Sequence, residues 1–269
     1  MPEEDRIPRI IHYCWFGGNP LPRAYKRYLR GWKRLHPGWE IRRWDETNFD
    51  VTQNRFCREA FEAKKWAFVS DYARLKVLYD FGGIYMDTDV ECLKPLDGFR
   101  HHRAFSGFEQ PHSIPTGTMG AEKGNPWIAA LLSDYDGKAF VLENGALDTT
   151  TNVWLITEKT EALHGKLPEN VFVDYGDVVF YPTSYFCPIQ LGKDFTCFSA
   201  ETTCIHHFGG SWLDEGSRFW LKYHKKFYYK PLMYLFEWRN MLRDWVQTYG
   251  FFGMLKHIGG KAFRRVFRK

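Results

Sequence analysis

Long apolar runs and paired cysteines are both missing from this 269-residue chain. No stretch of about 18 apolar residues occurs, so the sequence predicts no transmembrane helix. The opening residues MPEEDRIPRI are acidic and lack the apolar core of a secretory signal. The six cysteines show neither a CxxC pair nor zinc-finger spacing, so we expect reduced thiols in a cytoplasmic protein.

Apolar and aromatic residues, in contrast, are plentiful. With 44% hydrophobic and 18% aromatic residues, the chain can bury a large core, which argues against extended disorder. This length and composition fit one α/β domain with an appendage. We predict a globular domain over residues 1–217 and a tail over residues 218–269.

Positive charge is concentrated in that tail. Residues 218–269 hold 13 Lys and Arg against two acidic residues, so the rest of the chain is net acidic. The cations are interleaved with Trp, Tyr and Phe, which suits a helix on an anionic membrane surface, where each cation contributes on the order of 1 kcal/mol. A solvated helical cap packed on the domain is the alternative. Nucleic acid is not an expected partner, because no binding motif accompanies the charge.

Strand and helix patterns alternate along the first 90 residues. Branched and aromatic residues predict strands at RIIHYCWFGG, WEIRRWDE and IYMD. Apolar residues at helical spacing connect them, first over 25–35 and then in a longer region that ends at Phe81, before the Gly82-Gly83 turn. This order predicts a mostly parallel sheet, whose ligands bind beyond the carboxyl ends of the strands.

Charged and aromatic side chains gather at that edge of the predicted sheet. Trp15 follows the first strand, and Asp87 and Asp89 follow the third. The helical region before the third strand carries Asp71 and Arg74 on an otherwise apolar face. Two neighbouring carboxylates are costly to bury, so a cation, a protein partner or simple exposure at the strand end has to account for the pair.

The spacing of the two aspartates suits a metal ion. If the strand continues far enough, its period of two places Tyr85, Asp87 and Asp89 on the same side. Carboxylate oxygens are the hard ligands that Mg²⁺ and Mn²⁺ prefer. An Asp-x-Asp sequence is common by chance, however, so the spacing by itself leaves all three explanations open.

A longer segment is more specific. WAFVSDYARLKVLYDFGGIYMDTDVE resembles the signature of the DXD-containing glycosyltransferases, which include yeast outer-chain α-1,6-mannosyltransferases, inositol-phosphoceramide mannosyltransferases and bacterial capsular and lipopolysaccharide sugar transferases, and which are related to the clostridial glucosylating toxins. IPRIIHYCWFGG resembles the opening strand of that family, and CIHHFGGSW resembles its closing His-x-x-x-x-Ser-Trp element. The resemblance spans about residues 7–212 and implies an α/β fold of the GT-A type that binds nucleotide sugars.

The resemblance also implies roles for the matching residues. Asp87 and Asp89 would hold Mn²⁺ or Mg²⁺ against the diphosphate of a UDP- or GDP-sugar. Trp15 would stack on the nucleobase, unless it is a core residue. Asp71 and Arg74 would bind hydroxyls of the donor sugar and complete the catalytic set with the two aspartates, unless they form only a structural ion pair. The implied donor-binding residues are Trp15, Ser70, Asp71, Arg74, Gly83, Tyr85, Asp87, Ser211 and Trp212.

Two adjacent histidines are candidates for a further metal ligand. Imidazole binds Mn²⁺ more readily than Mg²⁺, so a histidine ligand would favour Mn²⁺. Strand alternation lets only one of His206 and His207 face the ion, and the family pattern favours His206. Ser211 and Trp212 would then close over the phosphates, with the indole N–H as a donor. A purely structural histidine pair is the alternative.

Two other segments say less about chemistry. The resemblance places residues 116–120 along the donor pocket. The family often has Thr-Gly-Pro where this chain has Asn152, and this departure puts a catalytic role for the segment in doubt. No nucleophile or general base is evident. The resemblance implies retention at the anomeric carbon, in which the leaving phosphate takes the proton of the acceptor.

Together these features predict a metal-dependent hexosyltransferase. We expect it to transfer a hexose from a nucleotide diphosphate sugar to a cell-surface polysaccharide or lipid-linked oligosaccharide, at the cytoplasmic face of a membrane. The alternatives are a toxin-like protein glycosyltransferase and an inactive protein that binds nucleotide sugars or membranes. A phosphotransferase with Asp87 as nucleophile is disfavoured, because Val90 and Glu91 follow Asp89 where such enzymes need a Thr.

Overall fold

A computed structural model describes residues 5–189 and 197–210 of the chain. Its strands are β1 (Ile10–Cys14), β2 (Glu40–Trp44), β3 (Gly83–Met86), β4 (Val90–Cys92), β5 (Ala104–Gly107), β6 (Thr118–Ala121), β7 (Val173–Asp174), β8 (Val179–Tyr181) and β9 (Cys204–His206). Its helices are α1 (Arg23–Leu35), α2 (Arg55–Glu62), α3 (Trp66–Phe81), α4 (Pro126–Ser133), α5 (Asn152–His164) and α6 (Thr183–Phe186).

Seven strands form the central sheet, in the order β2-β1-β3-β6-β5-β8-β7. β1 pairs in parallel with β2 and β3, and β5 pairs in parallel with β8. β6 is antiparallel to both β3 and β5, and β7 is antiparallel to β8 at one edge. Five of the seven strands therefore run in one direction, and the predicted α/β fold with a mostly parallel central sheet is confirmed.

Both faces of the central sheet are covered. Ile84 and Met86 pack in one buried apolar cluster, whereas Tyr85 between them packs in the other. This division follows the strand period of two. The largest fully buried side chains include Trp32 and Trp127, one in each cluster. In the part of the chain that the structure describes, no helix is both long and apolar enough to cross a membrane.

A small second sheet consists of β4 and β9, which pair antiparallel. Cys92 lies opposite Cys204, and their sulfur atoms are 3.3 Å apart. Val90 lies opposite His206 in the same register. Because β4 follows the Asp-x-Asp segment and β9 contains His206, this sheet joins two parts of the chain that are far apart in sequence.

The helical region predicted to end at Phe81 is α3, and a separate shorter helix, α2, precedes it. Asn54 caps α2 by accepting a hydrogen bond from the N–H of Cys57 at 3.2 Å. Lys64, between the helices, has a φ of +56°, which interrupts helical geometry. Of the two helices, α3 leads directly into β3, and α3 carries the predicted charged residues Asp71 and Arg74.

Two glycines turn the chain from α3 directly into β3. Gly82 has a φ of +66°, and a Cβ there would lie 2.8 Å from the backbone nitrogen of Lys123. Gly83 has a φ of +107°, and a Cβ there would lie 2.8 Å from the carbonyl oxygen of Ile10. Only glycine fits both the backbone conformation and the space, so α3 and β3 are joined without a loop.

The third strand does not continue through the two aspartates. β3 ends at Met86, and the N–H of Val90 donates to the carbonyl oxygen of Asp87 at 2.9 Å, which closes a turn. The expectation that strand alternation places Tyr85, Asp87 and Asp89 on one side was therefore wrong. A turn between two different sheets, not a shared strand face, brings the two carboxylates together.

Several predicted features lie outside the described residues. These are the tail over 218–269, the domain boundary at residue 217, and the two residues expected to close over the phosphates, Ser211 and Trp212.

Candidate active site

Arg74 on α3 is the central cation of the candidate site, and its side chain is only 5% exposed. Its Nη2 lies 3.0 Å from Oδ1 of Asp71 and 3.4 Å from Oδ1 of Asp87. Nη1 donates to the carbonyl oxygen of Thr116 at 2.9 Å, and Nε donates to that of Ser70 at 3.2 Å. Because all three nitrogens have partners, the guanidinium fixes α3, the end of β3 and the Thr116 segment relative to one another.

Asp71 is held by more than its ion pair. Burial raises the pKa of the Asp71 carboxyl to about 6, against the opposing effect of Arg74 and with the charge of Asp87 adding to the rise. Nδ2 of Asn152 donates to Oδ1 of Asp71 at 3.3 Å, and the Tyr135 hydroxyl donates to Oδ1 of Asn152 at 3.4 Å. Asn152 thus orients Asp71. The sequence signal for this residue was its departure from the family's Thr-Gly-Pro.

Asp87 follows β3 directly and is positioned through its side chain and its backbone. The Tyr85 hydroxyl donates to Oδ1 of Asp87 at 2.9 Å, and the Asp87 N–H donates to the carbonyl oxygen of Gly117 at 2.9 Å. The guanidinium of Arg74 lies 4.8 Å from the centre of the Tyr85 ring. Tyr85 is only 1% exposed, so it orients Asp87 and offers no accessible surface to a ligand.

Asp87, Asp89 and His206 form a cluster with the donor atoms of a metal site. One ligand atom from each lies within 4.8 Å of the others. Nε2 of His206 is 3.4 Å from Oδ1 of Asp89, and Oδ2 of Asp89 accepts the N–H of Gly209 at 2.6 Å. Burial opposes the charged forms, but the contact between the two side chains lowers the pKa of Asp89 to about 2 and raises that of His206 well above its usual value.

The donor set fits a divalent ion. Two carboxylates and one imidazole suit Mn²⁺ better than Mg²⁺, because imidazole is a poor ligand for the harder ion. A Cβ at Gly117 would lie 3.0 Å from Nδ1 of His206, so glycine at this position leaves room for the ring beside the aspartates. The side chains of His206 and Asp89 keep 15% and 14% exposure, which leaves a route for an ion.

The structure separates the two adjacent histidines. Nε2 of His207 is 2.9 Å from a carboxylate oxygen of Glu91, and its ring stacks on Tyr28 with centroids 4.9 Å apart. The backbone N–H of His207 donates to the carbonyl oxygen of Asp89 at 3.1 Å. The ring of His206 therefore lies with the aspartate pair, whereas the ring of His207 lies against α1.

Trp15 lies at the rim of the sheet, directly after β1. Its N–H donates to the carbonyl oxygen of Trp44 at 2.9 Å, which extends the pairing of β1 with β2 by one residue. The indole contacts the ring of Tyr25 edge-on at 5.9 Å, and its Nε1 donates to the carbonyl oxygen of Asn19. The side chain is partly exposed and packs against the core from outside.

Ser70 and Gly83 have structural contacts of their own. The Ser70 hydroxyl donates to the carbonyl oxygen of Trp66 at 3.0 Å within α3. Gly83 lies over Ile10 and His12 at the start of β3. The Ser70 hydroxyl is therefore used within α3, and Gly83 has no side chain to offer the aspartate cluster.

Two residues near the site were missed by sequence reasoning. Glu109 is 8% exposed, and burial raises the pKa of its carboxyl, with His206 lowering it and Asp87 raising it further. His12 is fully buried, accepts the Trp44 indole N–H at Nδ1 (3.0 Å) and donates from Nε2 to the carbonyl oxygen of Gly82 (2.7 Å). No residue spacing marks either one.

Comparison with known proteins bears on this site directly. Residues 22–106 match the family model described as "Glycosyltransferase sugar-binding region containing DXD motif". This segment belongs to the DXD-containing glycosyltransferases. The recognition made from sequence is therefore confirmed, and Asp71, Arg74, Asp87 and Asp89 all lie inside the DXD region.

Individual relatives match different shares of this chain. Inositol phosphoceramide mannosyltransferase 3 of Schizosaccharomyces pombe is 29% identical over 138 residues, which are 50% of this chain and 38% of that protein. An uncharacterized glycosyltransferase of Acanthamoeba polyphaga mimivirus is 27% identical over 211 residues, with 74% and 80% covered. The chain thus spans about two fifths of the length of the yeast relative.

Among solved structures, the PaToxG glycosyltransferase is similar to this chain with 18% identity and a TM-score of 0.45. The alignment covers 60% of this chain and 70% of PaToxG.

Proposed function

We propose that this chain is a metal-dependent glycosyltransferase that transfers a hexose from a nucleotide diphosphate sugar. The main support is the cluster of Asp87, Asp89 and His206, whose ligand atoms lie within 4.8 Å of one another at the DXD region. These three residues would hold Mn²⁺ or Mg²⁺, with the imidazole favouring Mn²⁺. When bound, the ion would neutralise charge that develops on the leaving nucleoside diphosphate.

Protein groups around the cluster would bind and orient the donor. Asp71, anchored by Arg74 and Asn152, is a carboxylate that can accept hydrogen bonds from sugar hydroxyls. Arg74 has all its nitrogens engaged, so we assign it to positioning Asp71 and Asp87. Trp15 is partly exposed at the rim and would stack on the nucleobase.

We further propose transfer with retention at the anomeric carbon, on the basis of the family resemblance. In such a reaction the leaving phosphate oxygen takes the proton of the acceptor hydroxyl as the new glycosidic bond forms. The protein then has to hold the acceptor hydroxyl on the same face of the sugar as the leaving phosphate and exclude water, and a separate base is not required.

The proposed acceptor is a cell-surface polysaccharide or a lipid-linked oligosaccharide. Two features support an acceptor at a membrane. The first is that the relatives include inositol phosphoceramide mannosyltransferases, since a ceramide is a lipid. The second is the basic tail. The basic, aromatic tail over 218–269 would hold the enzyme on an anionic surface at the cytoplasmic face.

The tail's role can be tested separately. A chain truncated after Glu215 should keep hydrolysis of the donor and lose binding to phosphatidylcholine vesicles that contain phosphatidylserine. Co-sedimentation with the vesicles measures this loss, and unchanged binding by the truncated chain would contradict the membrane role.

The donor site can be tested by thermal unfolding with a panel of UDP- and GDP-sugars, with and without Mn²⁺. We expect one nucleotide to raise the unfolding temperature only when Mn²⁺ is present, and we expect Asp89→Ala to abolish the increase, because binding stabilises only the folded state that holds the ion. A shift that is indifferent to the ion and to Asp89→Ala would contradict the proposal. Binding with no turnover on any donor and acceptor would identify an inactive nucleotide-sugar-binding protein instead.

A further inference from the structure

A cavity lies between α1 and β4, where Tyr28 of α1 contacts His207. Its volume is about 430 Å³. Arg27, Arg30 and Arg34 line it from α1, together with Gly31, and Glu91 lines it from β4. None of these residues was assigned a role above, apart from the contact of Glu91 with His207.

The cavity carries positive charge that the described residues do not neutralise. Helix α1 has the sequence RAYKRYLRGWKRL, with six cations and no acidic residue. Among residues 5–189 and 197–210, no carboxylate forms an ion pair with Arg27, Arg30 or Arg34. Glu91 is engaged with Nε2 of His207 at 2.9 Å. The three arginines around this cavity therefore form a site with the charge to bind an anion.

Arginine is suited to one anion above others. The planar guanidinium presents paired N–H donors that match the oxygens of a phosphate group, and such charge-assisted hydrogen bonds are about twice as strong as neutral ones. Arg27, Arg30 and Arg34 are spaced three and four residues apart, so they project from the same side of α1. This arrangement is typical of sites that bind phosphate esters.

Gly31 keeps the cavity open. It lies inside α1, where glycine is less favourable than alanine. Its φ is not in the left-handed region, and a Cβ at this position would meet nothing within 4 Å. Neither the backbone nor the packing of the described residues demands glycine here. Its effect is to leave space between the arginines and β4.

The cavity and the aspartate cluster meet at β4 and β9. Glu91 of β4 stands two residues after Asp89 in the chain, and β9 contains His206. Tyr28 of α1 stacks on His207, the neighbour of His206. A phosphate held by the arginines would thus lie next to the cluster, on the side of β4 and β9.

We propose that this cavity binds a phosphate group of the acceptor, close to the hydroxyl that receives the hexose. This inference rests on the proposed glycosyltransferase function. The phosphate ester belongs either to a lipid head group or to a soluble sugar phosphate. Both sources present the same oxygens to Arg27, Arg30 and Arg34, so the test distinguishes them by the attached chain.

The test uses full-length protein with the metal removed by a chelator, so that phosphate has no ion to bind at the aspartate cluster. Glycerol 3-phosphate and dihexanoyl phosphatidic acid below its micelle concentration are titrated by calorimetry. We expect the double change Arg30→Gln/Arg34→Gln to weaken both by about tenfold or more, since a hydrogen bond to a charged group is lost at each position. Gly31→Leu should also weaken both, by filling the space while keeping every charge.

Lys33→Gln is the matched control, because Lys33 is an exposed cation of α1 that does not line the cavity. We expect Lys33→Gln to change either affinity by less than about twofold. The general attraction of the basic tail for anions is the same in every variant. Tighter binding of the phosphatidic acid identifies a lipid source, and equal binding identifies a soluble one. Binding that is indifferent to the arginine and Gly31 changes, or equally sensitive to Lys33→Gln, overturns the proposal.

A parallel titration with UDP or GDP plus Mn²⁺ separates the two proposals. Phosphate binding at the arginines without any nucleotide binding would refute the glycosyltransferase function and leave an anion site of another kind. Nucleotide binding that persists while the arginine changes have no effect would refute only the acceptor cavity.

Discussion

The candidate site is held by two sheets that differ in how firmly they are fixed. Asp87 follows β3, a central strand whose four residues are all buried and which pairs on both sides. Asp89 and His206 depend on β4 and β9, two three-residue strands that pair only with each other among the described residues. Local opening is easiest where few backbone hydrogen bonds hold an element, so the His206 side, with one strand partner, is expected to open before the Asp87 side.

The largest expected effect is on turnover. Asp89→Asn removes a charged ligand at the point where the two sheets meet, and loss of the ion's charge stabilisation should lower kcat/KM by about 10³-fold, equivalent to several kcal/mol. Asp80→Asn is the control, because Asp80 pairs with Lys76 at the end of α3 and is not one of the cluster's ligands. Steady-state assays with the donor found by thermal shift measure both. Near-normal turnover in Asp89→Asn would remove Asp89 from the site.

Arg74→Gln tests the firmly held side. It leaves Asp71 and Asp87 buried without their cation, and breaking a buried pair costs about 3–5 kcal/mol. We expect urea unfolding to show a loss in this range. The same measurement on His206→Ala should give a clearly smaller loss, and equal losses would remove the contrast between the two sheets.

The two adjacent histidines sharpen the comparison within the weaker sheet. His206→Ala should weaken Mn²⁺ binding by at least about tenfold, because one of three protein ligands is lost. His207→Ala should change it by less than about threefold, since the His207 side chain contacts Glu91 and Tyr28 instead. Electron paramagnetic resonance of free Mn²⁺ reports both values, and the reverse order would exchange their roles.

His12 gives the central sheet a dependence on pH. Burial lowers the pKa of His12 from 6.5 to about 4, so the unfolded chain binds a proton that the folded protein excludes between these values. The stability is complete above pH 6.5 and falls as the pH drops toward 4, by up to about 3 kcal/mol. The raised pKa of Asp71 acts in the opposite direction, since its carboxyl is more easily buried when protonated.

His12→Gln isolates this contribution, because glutamine keeps one donor and one acceptor but does not titrate. Urea unfolding at pH 5 and pH 7.5 should show a smaller difference in the variant than in the wild type. Asp71 is present in both and cancels. An identical difference would mean that His12 is protonated in the folded state.

The smallest expected effect is at Gly31, beside β4. Gly31→Ala should stabilise the protein by about 0.5–1 kcal/mol, because alanine is the better helix former and the added methyl group meets nothing within 4 Å. Thermal unfolding measures the gain. A loss of stability would show that the space at Gly31 is needed for folding.

The same division explains what could be predicted from the sequence. The α3, glycine turn and β3 segment is set by short-range patterns, so Arg74, Asp71 and Asp87 were placed from spacing and family resemblance. The pairing of β4 with β9 joins residues more than 100 positions apart, and no local pattern encodes it. The ring positions of His206 and His207 depend on that long-range contact.

The direct join of α3 to β3 has a mechanical consequence. Gly82 and Gly83 leave no loop that could lengthen or shorten, and the N–H of Gly82 is already bonded to the carbonyl oxygen of Leu78 at 2.9 Å. The spacing between Arg74 and Asp87 therefore behaves as a fixed length. Motion that widens the site for substrates is therefore expected at β9 rather than between α3 and β3.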